Sequence, residues 1–140
     1  MTDFHDIPPE RYPGLLLIDP MCREGDAFVR GLEARGWCVW LVSDPETAAA
    51  VYAVHADEID VALVGMRVPG LDGVLALVTV RELNPYLPCC ATVPDPHSAA
   101  AVRRAFDIPT FTRPPDALAL SFTLHEMIVP VGKPYAVVAR

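Results

Sequence analysis

Short, largely apolar runs recur along the chain and alternate with stretches that carry helical spacing. Each run is bounded by Gly, Pro or Asp, which is typical of buried parallel strands. The five predicted strands are Leu15 to Ile18, Cys38 to Val42, Val61 to Val64, Cys89 to Val93 and Thr110 to Thr112.

Helix-start signals lie between these runs. A first helix carries Phe28, Val29 and Leu32 and ends before Gly36. A capping residue precedes most of the others, and an Asp-Pro pair is a strong start signal because proline fits the first helical turn. The later helices are predicted after Asp44-Pro45, from about Val74 to Leu83, after Asp95-Pro96 and after Asp116.

Five strand–helix units in alternation predict an α/β fold. Right-handed crossovers give a flavodoxin-like, doubly wound, five-stranded parallel sheet with strand order 2-1-3-4-5 and helices on both faces. Residues 15–129 form this domain, residues 1–14 are a Pro-rich lead, and residues 130–140 are a tail. The β-prone Tyr135 to Val138 could add to a sheet edge, or the tail could be a frayed terminus.

Composition narrows the class of protein. The chain has 140 residues, of which 52% are hydrophobic and 21% charged, enough for one core. A net charge of −7 with only 11 Lys and Arg residues argues against a nucleic-acid partner. Because there is neither an apolar run of ~20 residues nor a signal peptide, we expect a cytoplasmic protein that does not enter a membrane.

Sequence signals for metal binding, redox use or catalysis are weak outside the strand ends. The four cysteines lack C-x-x-C spacing, so they are expected to be reduced. His125-Glu126 begins like a zinc-protease helix, but Val129 stands at the second His position. No glycine-rich nucleotide loop is present, and no nucleophile, base and orienting acid occur together. No enzyme activity, metal or cofactor is predicted.

The segment Asp60-Val-Ala-Leu-Val-Gly65-Met-Arg-Val-Pro69-Gly-Leu-Asp72-Gly73 resembles the third strand and following loop of a bacterial response-regulator receiver domain. In that family the strand ends in a phospho-accepting Asp, and Pro and Asp-Gly follow at these spacings. Gly65 occupies the acceptor position, and glycine can form no acyl phosphate. The resemblance spans Leu15 to about Ile128 and implies a degenerate pseudo-receiver.

The resemblance also implies a vestigial phosphorylation pocket. Asp19 matches the first acid of the Mg²⁺-binding pair, but Pro20 replaces the second, so Mg²⁺ binding should be weak. At the hydroxyl position stands either Thr92 or Val93; the count from Gly65 favours Val93, and strand alternation lets only one of them face the pocket.

Two arginines complete the candidate pocket. Arg113, followed by proline, matches the family's Lys-Pro signature with Arg for Lys, and it could pair with Asp19. Arg67, two residues after Gly65, is the other. Thr110 stands where the family carries a switching aromatic residue.

Apolar residues on faces that should be solvated predict self-association. The fifth helix carries a core stripe of Leu120, Leu124, Met127 and Ile128, and one helix cannot bury a second stripe against its own sheet. The third helix repeats the anomaly. The predicted interface residues are Leu118, Phe122 and His125 on the fifth helix and Leu75 and Val78 on the third.

Two hypotheses of function follow. In the first, the chain is a phosphorylation-independent signalling module that docks a regulatory protein or forms a homodimer in a two-component-type pathway. In the second, the vacated pocket beside Arg113 binds a small anion or metabolite and acts as a sensor.

Overall fold

A computed structural model describes residues 12–66, 71–112 and 116–128. Within these ranges strands and helices alternate strictly along the chain. The strands are β1 (Gly14–Ile18), β2 (Cys38–Val42), β3 (Val61–Gly65), β4 (Cys89–Val93) and β5 (Thr110–Thr112). The helices are α1 (Ala27–Ala34), α2 (Pro45–His55), α3 (Leu71–Leu83), α4 (Pro96–Phe106) and α5 (Ala117–Ile128).

The strands form one parallel sheet in the order β2-β1-β3-β4-β5, which confirms the predicted fold. Side chains alternate between two apolar cores. Leu16 and Ile18 of β1 join the core under α2, α3 and α4, whereas Leu15 and Leu17 join the core under α1 and α5. No helix within the described ranges is long and apolar enough to cross a membrane.

The predicted helix starts are confirmed at two Asp-Pro pairs. The Asp44 carboxylate accepts the Thr47 amide at 2.7 Å, and the Asp95 carboxylate accepts the Ser98 amide at 2.8 Å. Proline takes the first turn in both helices. The pKa of each capping carboxyl is lowered, and the hydrogen bond from the Thr47 or Ser98 amide is the main cause.

The elements differ from the sequence prediction at several points. Strands β1 and β3 are each one residue longer than predicted. Helix α3 begins at Leu71, three residues before the predicted Val74. Strand β2 was expected to be buried on both faces, but Cys38 is exposed and only Val42 is buried. The reason is topological, because β2 is an edge strand with a neighbour on one side alone.

All four cysteines are free thiols. Cys89 and Cys90 project into opposite cores, as strand alternation predicts. Burial raises the pKa of the Cys89 thiol to about 11 and raises that of Cys90 further. Both side chains therefore act as small apolar groups in the core.

Candidate functional site

Asp19, Gly65 and Thr92 lie at one level at the carboxyl end of the sheet. Gly65 and Thr92 are ladder partners, and Asp19 and Gly65 each follow directly on the paired residues Ile18 and Val64. Alternation places all three on the α1–α5 side of the sheet. Ligands of doubly wound sheets bind at this edge, so the structure brings three predicted pocket residues together where a site is expected.

Gly65 is buried and supplies no side chain to this edge. The following amide, that of Met66, donates a 2.8 Å hydrogen bond to the Thr92 carbonyl oxygen. Met66 itself is buried in the core under α2, α3 and α4. The strand ladder thus continues regularly through Gly65.

Asp19 is buried, with 4% of its surface exposed. Its carboxylate accepts the Met21 amide at 2.8 Å, and its own amide donates to the Val42 carbonyl at 2.9 Å. The neighbouring Pro20 is exposed and has no oxygen ligand in its side chain. Asp19 is therefore oriented by the turn that follows β1, without a second acid beside it in sequence.

Two of the predicted pocket residues, Arg67 and Arg113, lie outside the described residues. The proposed Asp19–Arg113 ion pair accordingly stays a prediction. Within the described ranges no group of three or more His, Cys, Asp and Glu side chains is placed to hold a metal ion.

The structure separates Thr92 from Val93. The count along the sequence favours Val93 at the hydroxyl position, but Val93 is fully buried in the core under α2, α3 and α4. Thr92 is the partner of Gly65 and lies on its side of the sheet. The hydroxyl at the level of Gly65 is therefore that of Thr92. The pairing register of β3 and β4 decides this.

Thr110 at the start of β5 makes hydrogen bonds through both its side chain and its backbone carbonyl. Its buried hydroxyl donates to the Ile108 carbonyl at 3.0 Å. Its own carbonyl accepts a 2.6 Å hydrogen bond from the Arg103 guanidinium of α4. This link between α4 and β5 was not predicted from the sequence, since nothing in the local pattern around Arg103 indicates its acceptor.

The predicted apolar surface residues on α5 divide into two kinds. Leu118 and Phe122 are 51% and 66% exposed, one turn apart on the same face. His125, in contrast, is half-buried and stacks on Trp37, with ring centroids 4.6 Å apart. The Trp37 indole also donates to the Ser121 hydroxyl at 2.9 Å. His125 thus contributes to packing within the chain, and Leu118 and Phe122 are the exposed members of the predicted stripe.

The core stripe of α5 is as predicted, with Leu120, Leu124 and Ile128 buried and Met127 packed against them. On α3, Leu75 and Val78 are 48% and 39% exposed. The exposed Val74 extends this apolar face and was not among the predicted interface residues.

Several solved structures with the same architecture are receiver domains. One is a response regulator receiver domain from Clostridium thermocellum, 20% identical, with a TM-score of 0.71 over 85% of this chain and 96% of that one. Another is the receiver domain of the Francisella response regulator 1452, 16% identical, with a TM-score of 0.68 over 85% and 98% of the two chains.

A third is found in the CheX–CheY–BeF3–Mg²⁺ complex from Borrelia burgdorferi, 15% identical, with a TM-score of 0.63 over 84% and 87%. No protein-family model and no curated protein matches the sequence. At these identities the likeness shows the fold, which is that of CheY-like receiver domains. Gly65 and Pro20 therefore stand at the carboxyl ends of strands in a sheet with this fold.

Proposed function

We propose that this chain is a receiver-fold signalling module that acts by protein–protein docking and takes up no phosphoryl group. The observation that carries the proposal is Gly65, which stands at the end of β3 on the level of Asp19 and Thr92. Phosphoryl transfer to a receiver needs a nucleophilic carboxylate and a metal ion that neutralises developing charge. Gly65 provides no carboxylate, and Pro20 provides no second metal ligand.

A fixed link between α4 and β5 supports a module with one constitutive state. Thr110 carries no aromatic ring, and its hydroxyl and carbonyl are both engaged with Ile108 and Arg103. A switching receiver needs a second arrangement only about a few kcal/mol higher in free energy than the first. The hydrogen bonds of Thr110 with Ile108 and Arg103 favour the single arrangement of α4 and β5 in which they form.

Exposed apolar residues on α5 supply a surface through which the module would act. Leu118 and Phe122 are neighbours on one face, and contiguous apolar surface tends to mark an interface. We propose a homodimer with α5 at its centre, formed without phosphorylation. The same proposal assigns the domain a regulatory protein partner and no catalytic role.

Mass spectrometry after incubation with acetyl phosphate and Mg²⁺ tests the absence of phosphoryl uptake. We expect the intact mass to stay unchanged under conditions that label a receiver domain with an intact acceptor Asp in parallel. A stoichiometric, hydroxylamine-labile phosphoryl group on this chain would contradict the proposal, because that lability identifies an acyl phosphate.

A second candidate, a sensor of a small anion or metabolite, rests on the place of Asp19, Gly65 and Thr92 at the ligand-binding edge of the sheet. Thermal unfolding with phosphate, sulfate and a metabolite panel separates the two functions. A ligand at about 100 times its dissociation constant stabilises the fold by roughly 2.7 kcal/mol. A flat response across the panel favours docking.

A further inference from the structure

An open cleft lies between the first turn of α2 and the exposed side of α3. Its volume is about 480 Å³, within the range of clefts that hold small ligands or several side chains of a partner. The lining residues are Asp44, Pro45, Glu46, Thr47, Leu75 and Thr79. The cleft lies on the α2–α3–α4 side of the sheet, opposite the side that carries α5.

The α3 wall of the cleft continues into an exposed apolar face. Leu77 and Val80 of α3 are fully buried in the core, so the helix has already placed a complete stripe against its own sheet. Val74, Leu75 and Val78 remain on its outer side, with Leu75 and Val78 three residues apart and therefore adjacent. A helix with apolar residues on both its core side and its solvent side can pack only the core side against its own sheet.

Carboxylates flank this apolar face at both ends. Glu46 is exposed at the mouth of the cleft, and Asp44 is held beside it by the Thr47 amide. Glu82 is exposed one turn beyond Val78 on α3. Arg81, the basic residue of α3, donates to the Phe106 carbonyl of α4 at 3.1 Å. Its guanidinium therefore lies on the side of α3 that meets α4.

We propose that this face, composed of Val74, Leu75, Val78 and the cleft beside Glu46, docks an amphipathic segment of another protein whose apolar side chains are flanked by Lys or Arg. The proposal deepens the docking function above and rests on it. Charge complementarity selects the occupant, since basic groups would meet Glu46 at one end and Glu82 at the other. A second copy docked through this same face would instead set Glu46 and Glu82 against the same two carboxylates.

The occupant is expected to bind as a helix laid along α3. Leu75 and Val78 present anchors with helical spacing, and grooves of this kind accept apolar side chains at similar spacing from an amphipathic helix. One apolar side chain would enter the cleft between Leu75 and the α2 first turn, and its basic neighbours would remain at the rim.

A synthetic helical peptide with Leu on one face and Lys on the other is the probe, and the same peptide with Glu in place of Lys is its counterpart. Fluorescence anisotropy at about 0.15 M salt, where long-range attraction is screened, measures binding to the full chain. We expect the Lys peptide to bind and the Glu peptide to bind at least about ten-fold more weakly. Equal binding of both peptides, or of neither, would overturn the proposal.

Matched variants separate docking on α3 from general attraction to an acidic protein. Leu75→Ser should weaken binding of the Lys peptide about ten-fold or more. Val54→Ser, at an exposed apolar position of α2 that does not line the cleft, should leave its affinity unchanged. Glu46→Gln should weaken it about two- to five-fold, and Glu33→Gln on α1 should have no effect.

Equal losses within either pair of variants would refute the α3 site. Circular dichroism confirms that each exposed substitution leaves the fold intact. Light scattering of Phe122→Ser reports self-association separately, so failure of the peptide experiment is distinct from failure of the dimer or of the phosphorylation result.

Discussion

Gly65 and Thr92 are ladder partners at the carboxyl end of the sheet, and the amide that follows Gly65 donates to the Thr92 carbonyl at 2.8 Å. The hydroxyl-bearing side chain and the position without a side chain thus face the same side of the sheet. A glycine at position 65 is thus compatible with regular pairing of β3 and β4.

Restoring the acceptor alone should not restore phosphorylation. Gly65→Asp supplies a nucleophile, but Mg²⁺ would still lack the second acid that Pro20 replaces, and a hard cation needs several oxygen ligands. We expect little labelling of Gly65→Asp by acetyl phosphate and more of the double variant with Pro20→Asp, measured by intact mass. Equal labelling of single and double variants would show that the second acid is dispensable here.

Phe122→Glu should dissociate the proposed dimer. Burial of each Phe122 in a symmetric interface contributes about 1.5–3 kcal/mol, so a charge at this position should raise the dissociation constant at least about ten-fold. Light scattering at tens of micromolar, a concentration suited to weak association, measures the mass. Val54→Glu, an exposed apolar position on α2, is the matched control. A wild-type protein that is monomeric at this concentration would rule out the idea.

Asp60→Ala should destabilise the amino end of the sheet. The buried Asp60 carboxylate accepts the Gly14 amide at 2.8 Å, and the Asp60 amide donates to the Gly14 carbonyl at 2.9 Å. An unsatisfied buried amide costs about 1–3 kcal/mol, which urea unfolding would detect. Asp57→Ala, an exposed carboxylate nearby, should change stability by less than about 0.5 kcal/mol. Similar losses for both variants would argue against a special role for Asp60.

The cap at Asp95 predicts a particular pH dependence. Its pKa is lowered in the folded state, chiefly by the Ser98 amide, so the folded protein binds fewer protons than the unfolded chain. Its stabilisation is therefore complete above the ordinary Asp pKa of about 3.9 and is lost as the pH falls through the lowered value. Asp95→Asn keeps a capping oxygen but does not titrate.

Urea unfolding of wild type and Asp95→Asn from neutral pH to about pH 3 measures this effect. The stability advantage of the wild type should be greatest at neutral pH and shrink through the acid range. An advantage that stays constant with pH would mean that the carboxylate charge contributes nothing to the cap.

Local sequence signals account for most of the fold. Asp44 and Asp95 begin their helices because a capping carboxylate and the amide it accepts are three residues apart, so no distant contact is needed. Strands β2, β4 and β5 have the predicted bounds, since apolar runs between turn residues read directly as strands. The sequence alone also shows that position 65 carries no carboxylate, because this depends only on the residue type.

The tertiary structure decided what depends on register and on distant partners. Thr92 rather than Val93 faces the side of Gly65 because the β3–β4 register sets which residues of β4 share its face. His125 packs half-buried against Trp37, 88 positions earlier in the chain. The cleft beside Leu75 exists because the crossovers bring α2 next to α3. Each depends on packing between residues far apart in sequence, for which a local pattern of apolar and polar residues carries no signal.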